Sequence, residues 1–298
     1  MVEPPVSIGI DIGGTRIKAV SVQPNGKVLS KRIEPSANCV ETLIIAIRSL
    51  VDELAADDIP IGVSAPGIAS RDNRSIAWMR GRMEAVEGLD WQTRLGRKIW
   101  ALNDGHAAAI AENWIGAARG ARHSVLLTLG TGVGGGVIVD GCLLQGATGR
   151  AGHLGHITLD MNSRPDIVGM PGSLEDCIGY HNLLERSGGR FRDTAELVQA
   201  AGAGDSNAYE CWRRSVRGLA IGIASLVNAF DPEVVVLGGG IAECGPPLFE
   251  PLQQYLNEVE WRPSGVPVRI AAASLGELAG AIGAARFAAQ QSAAEATR

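Results

Sequence analysis

The sequence predicts an α/β protein made of two similar lobes around a cleft, and three observations carry the prediction. A glycine-rich turn set between apolar, β-like stretches occurs twice, as Asp11-Ile12-Gly13-Gly14-Thr15 and as Leu129-Gly130-Thr131-Gly132-Val133-Gly134-Gly135-Gly136. The strand–turn–strand order around the first copy begins again at Ser124 around the second. Short β-branched runs alternate with helical periodicity in both halves, which is the pattern of parallel sheets covered by helices. The 298 residues suit about two domains of about 150 residues each.

Taken in order, residues 6–10, 17–22 and 28–33 are short, β-branched and bounded by Gly, Pro or Asn, so they predict three strands. Residues 41–55 (ETLIIAIRSLVDELA) repeat apolar side chains at three- and four-residue steps, the signature of an amphipathic helix. Residues 59–64 form a strand that ends in Ala65-Pro66-Gly67, and residues 99–102 form another that ends in Asn103-Asp104. A helix follows over 107–114. The second half opens with a strand from Ser124, the second turn and a strand at Val137-Ile138-Val139. Helix 207–230 precedes strand 234–237, which runs into Gly238-Gly239-Gly240, and an alanine-rich helix spans 279–291. The polar segment 162–172, with two prolines and two glycines, is the most loop-like. In open α/β sheets, strand ends carrying polar or glycine residues face the ligand cleft.

Composition removes several function classes. A net charge of −5 gives no global field for nucleic acid or an anionic membrane. The five cysteines, Cys39, Cys142, Cys177, Cys211 and Cys244, are scattered without CxxC spacing. With no basic segment leading an apolar run at the start, the expectation is a cytoplasmic protein with reduced thiols. The most apolar helix candidate, 218–230, is far shorter than the roughly 20 residues that a membrane span requires.

Each glycine turn lets backbone N–H groups approach a ligand with no Cβ in the way, and threonine adds a hydroxyl donor. Such a turn holds phosphate oxygens in a concave row of N–H groups. One turn alone is equally well an ordinary hairpin; two in repeated halves point to one nucleotide gripped from both sides, and hence to phosphoryl transfer. Gly130-x-Gly132-x-x-Gly135 matches the dinucleotide fingerprint in letters only, because a strand follows it where that fingerprint needs a helix. Asp104, at a strand end, reads equally as a general base aimed into the cleft or as a cap for the following helix.

Asp11-Ile12-Gly13-Gly14-Thr15-Arg16-Ile17-Lys18, Ser64-Ala65-Pro66-Gly67, Asn103-Asp104, the second glycine turn, residues 151–156 and Leu237-Gly238-Gly239-Gly240 occur in the order and spacing of one family. The chain resembles the ROK family of sugar kinases and repressors over essentially its whole length. The resemblance implies the actin-like, hexokinase-like ATPase fold, with ATP and Mg²⁺ in the interdomain cleft and a sugar hydroxyl as acceptor. Residues 1–118 form the first lobe, with 281–298 packing back on it, and 119–280 form the second. Asp104 becomes the catalytic base, and Gly67, Asn103, His153, His156 and Glu175 become sugar-site residues. Asp11 orients Mg²⁺ or its water. Gly13, Gly14 and Thr15 surround one phosphate, Thr131 and Gly132 another, Gly239 and Gly240 lie near the nucleoside, and Lys18 assists a phosphate or is a solvated strand charge. A homodimer is expected.

The sugar half departs from the family pattern. The usual Glu-x-Gly-His is His153-Leu154-Gly155-His156 here, and His106 stands where asparagine is common. Imidazole donates or accepts once, whereas a carboxylate only accepts. Three cysteines that join the family histidine around a structural zinc correspond to Asp166, Val168 and Ser173. Valine supplies no ligand, so no zinc is expected and His156 needs another orienting partner. Residues 76–87 replace an asparagine-bearing sugar loop, with Trp91 matching a family tryptophan and Trp78 and Met79 as packing or contact residues. The expected activity is transfer to the 6-hydroxyl of glucose or a close relative. The alternatives are an N-acetylhexosamine or cyclitol kinase, or a non-catalytic sugar sensor. The repressor class carries a DNA-binding segment before the first turn that this sequence does not show.

Overall fold

The computed structural model describes residues 7–37, 39–54, 59–79 and 86–297. Along the first half run β1 (Ser7–Ile12), β2 (Arg16–Val22), β3 (Val28–Pro35), α1 (Val40–Leu54), β4 (Ile61–Ala65), β5 (Ile68–Ala69), β6 (Ile76–Trp78), α2 (Trp91–Leu95), β7 (Ile99–Asn103) and α3 (Asp104–Ile115). The second half holds β8 (Ser124–Leu129), β9 (Val133–Val139), β10 (Cys142–Leu143), α4 (Leu174–Ile178), α5 (Leu183–Arg186), α6 (Thr194–Gly202), α7 (Ser206–Phe230), β11 (Val234–Gly238), α8 (Pro246–Val259), β12 (Arg269–Ala272) and α9 (Ala279–Ala296). Ala55 of the predicted first helix and residues 80–85 of segment 76–87 lie outside the described residues.

Two five-stranded sheets have the same plan. The first runs β3-β2-β1-β4-β7 and the second β10-β9-β8-β11-β12. In each, a three-strand antiparallel meander is followed by two parallel strands. The glycine turns are therefore equivalent: Gly13 N–H donates to Arg16 O at 3.0 Å, and Gly130 N–H to Gly132 O at 3.0 Å.

Strand alternation decides what each face meets. Ile8, Ile10 and Ile12 of β1 pack with Leu43, Ile47 and Leu50 of α1. The opposite face carries Gly9 and Asp11, and α9 lies directly on it: a Cβ on Gly9 would fall 1.8 Å from Ala281 O. The second sheet buries Val125, Leu127 and Leu129 against the helices of its own half, chiefly α6, α7 and α8. Between the sheets, α3 and α9 share a core with Val20, Leu102, Leu126 and Val236. That middle layer joins the halves and brings the N-terminus of α3 to the second glycine run. Gly134, Gly135 and Gly136 belong to β9, and a Cβ on Gly136 would meet Ala109 Cβ at 2.6 Å. Gly135 and Gly136 thus serve the close approach of α3 to the sheet, a second purpose for a run whose turn portion is only Gly130 to Gly132. The apolar stretch 218–230 is the second half of the 25-residue α7, and no described helix is long and apolar enough to cross a membrane.

Candidate active site

Asp11 is nearly buried at 8% exposure and is held on both oxygens. Ser64 Oγ on the neighbouring β4 donates to Oδ1 at 2.9 Å, and Lys18 Nζ on β2 donates to Oδ2 at 3.0 Å. Lys18 is therefore an inward ion-pair partner rather than a solvated charge. Ser64 opens the Ser64-Ala65-Pro66-Gly67 motif, but its role toward Asp11 appears only through the parallel pairing of the two residues.

Asp104 is the first residue of α3, and Asn103 is the cap. Asn103 Oδ1 accepts the His106 N–H at 3.1 Å. The Asn103 amide hydrogens go to Gly67 O at 2.9 Å and to Asp104 Oδ1 at 3.0 Å. The two open readings of this pair are thus divided between its members: Asn103 caps and orients, leaving the Asp104 carboxyl directed at the cavity. Burial, and then the negative charge of Asp11, push the Asp104 carboxyl from the usual 3.8 up to about 6, against the Gly105 N–H and Lys18.

Asp11, Lys18 and Asp104 line a cavity of about 500 Å³ that continues to Thr128, Gly238, Gly239, Gly240 and Gly280. Gly239 has φ +83°, and a Cβ there would fall 2.3 Å from Leu129 O, so only glycine keeps this wall open. At Gly280, in the first turn of α9, a Cβ would meet the Asp11 carboxylate carbon at 2.7 Å. Glu112 of α3, a buried residue that also lines the cavity, accepts from the N–H groups of Ser274 and Leu275 at 2.9 Å each and so ties α3 to the approach to α9.

The remaining predicted residues sit around this centre. The first turn, Gly13, Gly14 and Thr15, is at the surface edge and outside that cavity's lining. Thr131, Gly132 and Glu175 line a second cavity of about 380 Å³. Glu175 Oε2 accepts the Val133 N–H at 2.9 Å, so this carboxylate braces the second glycine turn. Tyr180 and His181 brace it too, His181 Nδ1 lying 2.9 Å from Thr131 O. His106 Nε2 lies 2.7 Å from Ala151 O, which docks the segment carrying His153 and His156 on the first turn of α3, beside Asp104. The His106 and His153 rings meet edge-on at 5.5 Å. Burial and the two neighbouring imidazoles pull His153 down to about 4, so it is neutral, and its buried Nε2 has no partner among the described residues.

The three positions that correspond to thiolates have separate fates. Asp166 Oδ2 lies 2.8 Å from His156 Nδ1, while its Oδ1 accepts the Val168 and Met170 N–H groups at 2.9 Å each. Burial alone would raise Asp166, yet the imidazole and these N–H groups hold it below the usual carboxylate range. Val168 is exposed, and Ser173 Oγ caps α4 through the Asp176 N–H. Among the described residues no group of three His, Cys, Asp or Glu side chains is placed to hold a metal.

Residues 7–291 match the ROK family. The chain is 32% identical to a glucokinase of Thermotoga maritima, over 93% of this chain and 95% of the relative. It is 32% identical to an N-acetyl-D-glucosamine kinase of Pasteurella multocida, over 93% and 97%. A ROK family glucokinase from Streptomyces griseus, solved in complex with glucose and AMPPNP, superposes with a TM-score of 0.77 at 28% identity, covering 95% of this chain and 99% of that one. The paired five-stranded sheets are accordingly the actin-like, hexokinase-like ATPase fold. A carboxylate pair lining a glycine-walled cavity, on this fold and among these relatives, places the chain in the ROK family as a phosphotransferase of its sugar-kinase class.

Proposed function

We propose that this protein transfers the γ-phosphoryl group of ATP to a hexose hydroxyl, the 6-hydroxyl of glucose or a close relative, with Asp104 as the general base. The observation that carries the reading is the Asp104 carboxyl, raised to about 6 beside Asp11 and oriented by Asn103. An alcohol is a poor nucleophile, and a base with a pKa just below neutrality is ionised there while still able to take the proton as the O–P bond forms. Asp11, paired with Lys18, and Asp104 face the same cavity, and carboxylates are hard oxygen donors of the kind that suit Mg²⁺. Asp11 would hold the ion, directly or through water, and the ion would neutralise charge on the phosphoryl oxygens.

Gly13, Gly14 and Thr15 of one half, with Thr131 and Gly132 of the other, are assigned to the phosphates, and Gly239 and Gly240 to the nucleoside. Lys18 holds Asp11 in place. The sugar is assigned to Gly67, Asn103, His153, His156 and Glu175, with Asp166 fixing the ring of His156. The fates of the other two thiolate positions support a protein without structural zinc, because Val168 offers no ligand and Ser173 Oγ is taken up as the cap of α4. The separate cores of the two sheets and the return of α9 onto β1 and β4 support lobes of 1–118 with 281–298, and 119–280. Exposed Trp261 and Val266 are consistent with self-association as a homodimer.

A second acceptor class, the N-acetylhexosamines, is favoured by one specific feature. The neutral Nε2 of His153, without a partner among the described residues, offers either one donor or one acceptor where the family carboxylate accepts only. An ADP-release screen across hexoses, N-acetylhexosamines and cyclitols tests both readings. Turnover of at least one acceptor, with a loss of about 10³-fold or more in Asp104→Asn, is expected. Folded wild-type protein that turns over none of them, or undiminished turnover by the variant, would sink the mechanism.

A further inference from the structure

Behind the middle layer, on a pocket that shares no lining residue with the cavity holding Asp11 and Asp104, the α3, α9 and β9–β10 surfaces enclose about 490 Å³. Among the described residues its only charged lining residue is Arg286 of α9. The guanidinium carbon lies over the Trp114 ring of α3, 4.7 Å from the centroid. Other stacked arginines of this chain also have polar partners: Arg190 pairs with Asp205, and Arg213 donates to Tyr255 Oη. Arg286, by contrast, has no carboxylate or carbonyl partner among the described residues, although it is partly buried, and burial alone draws it below its usual value. Stacking on indole contributes about 1 kcal/mol or so and leaves a planar fork of N–H donors unused. Gln145, Gln290 and Gln291 add amide donors to the same wall, and Phe287 adds an apolar one.

A partly desolvated cation without a counter-charge, in a concave and half-apolar pocket, is complementary to an oxyanion attached to an apolar body. We propose that this pocket is a second ligand site, which takes a small organic oxyanion, a phosphate monoester or a carboxylate, on Arg286 and the surrounding amides. The cleft chemistry is not part of the argument, so the proposal stands or falls separately from the assigned activity.

The test is calorimetric titration of the full chain, with Mg²⁺ and AMPPNP present to fill the cleft, using phenyl phosphate, benzoate and the neutral benzyl alcohol as probes. At least one of the two anions is expected to bind with a Kd of about 1 mM or tighter, and benzyl alcohol is expected not to bind. Which anion binds identifies the oxyanion. Arg286→Met, which keeps an aliphatic stem against Trp114, is expected to weaken that binding by about tenfold or more. Gln290→Glu, at an exposed position of α9 and so without a folding cost, is expected to do the same by giving Arg286 an internal partner. Asp104→Asn is expected to bind as the wild type does. The proposal is overturned if neither anion binds at about 10 mM, if benzyl alcohol binds equally well, or if both Arg286→Met and Gln290→Glu retain wild-type affinity.

Discussion

Asp104 is where the chemistry of single residues is concentrated. Its raised pKa makes two opposite predictions for one substitution. As a base it must be ionised, so with the carboxyl at about 6 the value of kcat/KM should fall about tenfold per pH unit below 6 and level off above it. A pH–rate profile of the wild type that stays flat down to pH 5 would show that Asp104 is not the group that titrates. For stability the sign is reversed. A carboxyl whose folded pKa exceeds its unfolded value binds protons more tightly when folded. Its favourable contribution is therefore present below about 4 and lost as the pH rises through about 6. Asp104→Asn should then be inactive yet more stable than the wild type at pH 8, by about 1–3 kcal/mol, a gain that disappears by pH 4. Urea denaturation at the two pH values measures it. The sequence located Asp104 but left open whether it caps or catalyses; the cap hydrogen bond made by Asn103 relieves Asp104 of the capping role.

At the scale of an element, the segment 157–173 shows how a motif can lose its usual ligands and stay ordered. Asp166 gathers one imidazole and two backbone N–H groups, and the Thr158–Ser173 and Pro165–Pro171 bridges close the loop around it. Asp166→Ala removes all three bonds and should destabilise the protein by about 1–3 kcal/mol. It should also raise the KM for the sugar by about tenfold, with kcat less affected, because His156 loses its orientation rather than its chemistry. Equal loss in kcat with an unchanged KM would place His156 outside the sugar site. Metal analysis of purified protein checks the companion expectation: near-stoichiometric zinc would mean that the clasp is not a replacement. The absence of thiolates was legible in the letters. That Asp166 is the residue that orients His156 was not, since nine residues separate the two and only the folded turn closes that gap.

At the scale of the molecule, α3 and α9 are packed on glycine contacts that tolerate no side chain. A Cβ on Gly283 would fall 1.7 Å from Ala107 O, and one on Gly62 would fall 1.9 Å from Ala284 O. Both are backbone atoms in buried elements, so no rotamer change can relieve the overlap. Gly283→Ala should cost about 3 kcal/mol, read from the urea midpoint, while Gly202→Ala, whose methyl meets nothing, should leave that midpoint close to the wild type. Because the same two helices carry Asp104 at one end and Gly280 against Asp11 at the other, Gly283→Ala is also expected to lower kcat/KM. These contacts join residues more than 170 positions apart, and no local pattern reports them.

The sequence by itself determined the paired hairpins around the two glycine turns and the order of the strands and helices that it marks. Those features are written in local period and turn chemistry: alternation gives strands, three- and four-residue spacing gives helices, and glycine gives turns. Only the tertiary structure decided which partners the site residues keep. Ser64 and Lys18 reach Asp11 across β-strands, Asn103 rather than Asp104 caps α3, and Asp166 holds His156. The last two glycines of the second run, Gly135 and Gly136, turn out to seat α3. Hydrogen-bond satisfaction and close packing between distant segments settle these points, and both depend on which surfaces the fold brings together rather than on neighbours in the chain.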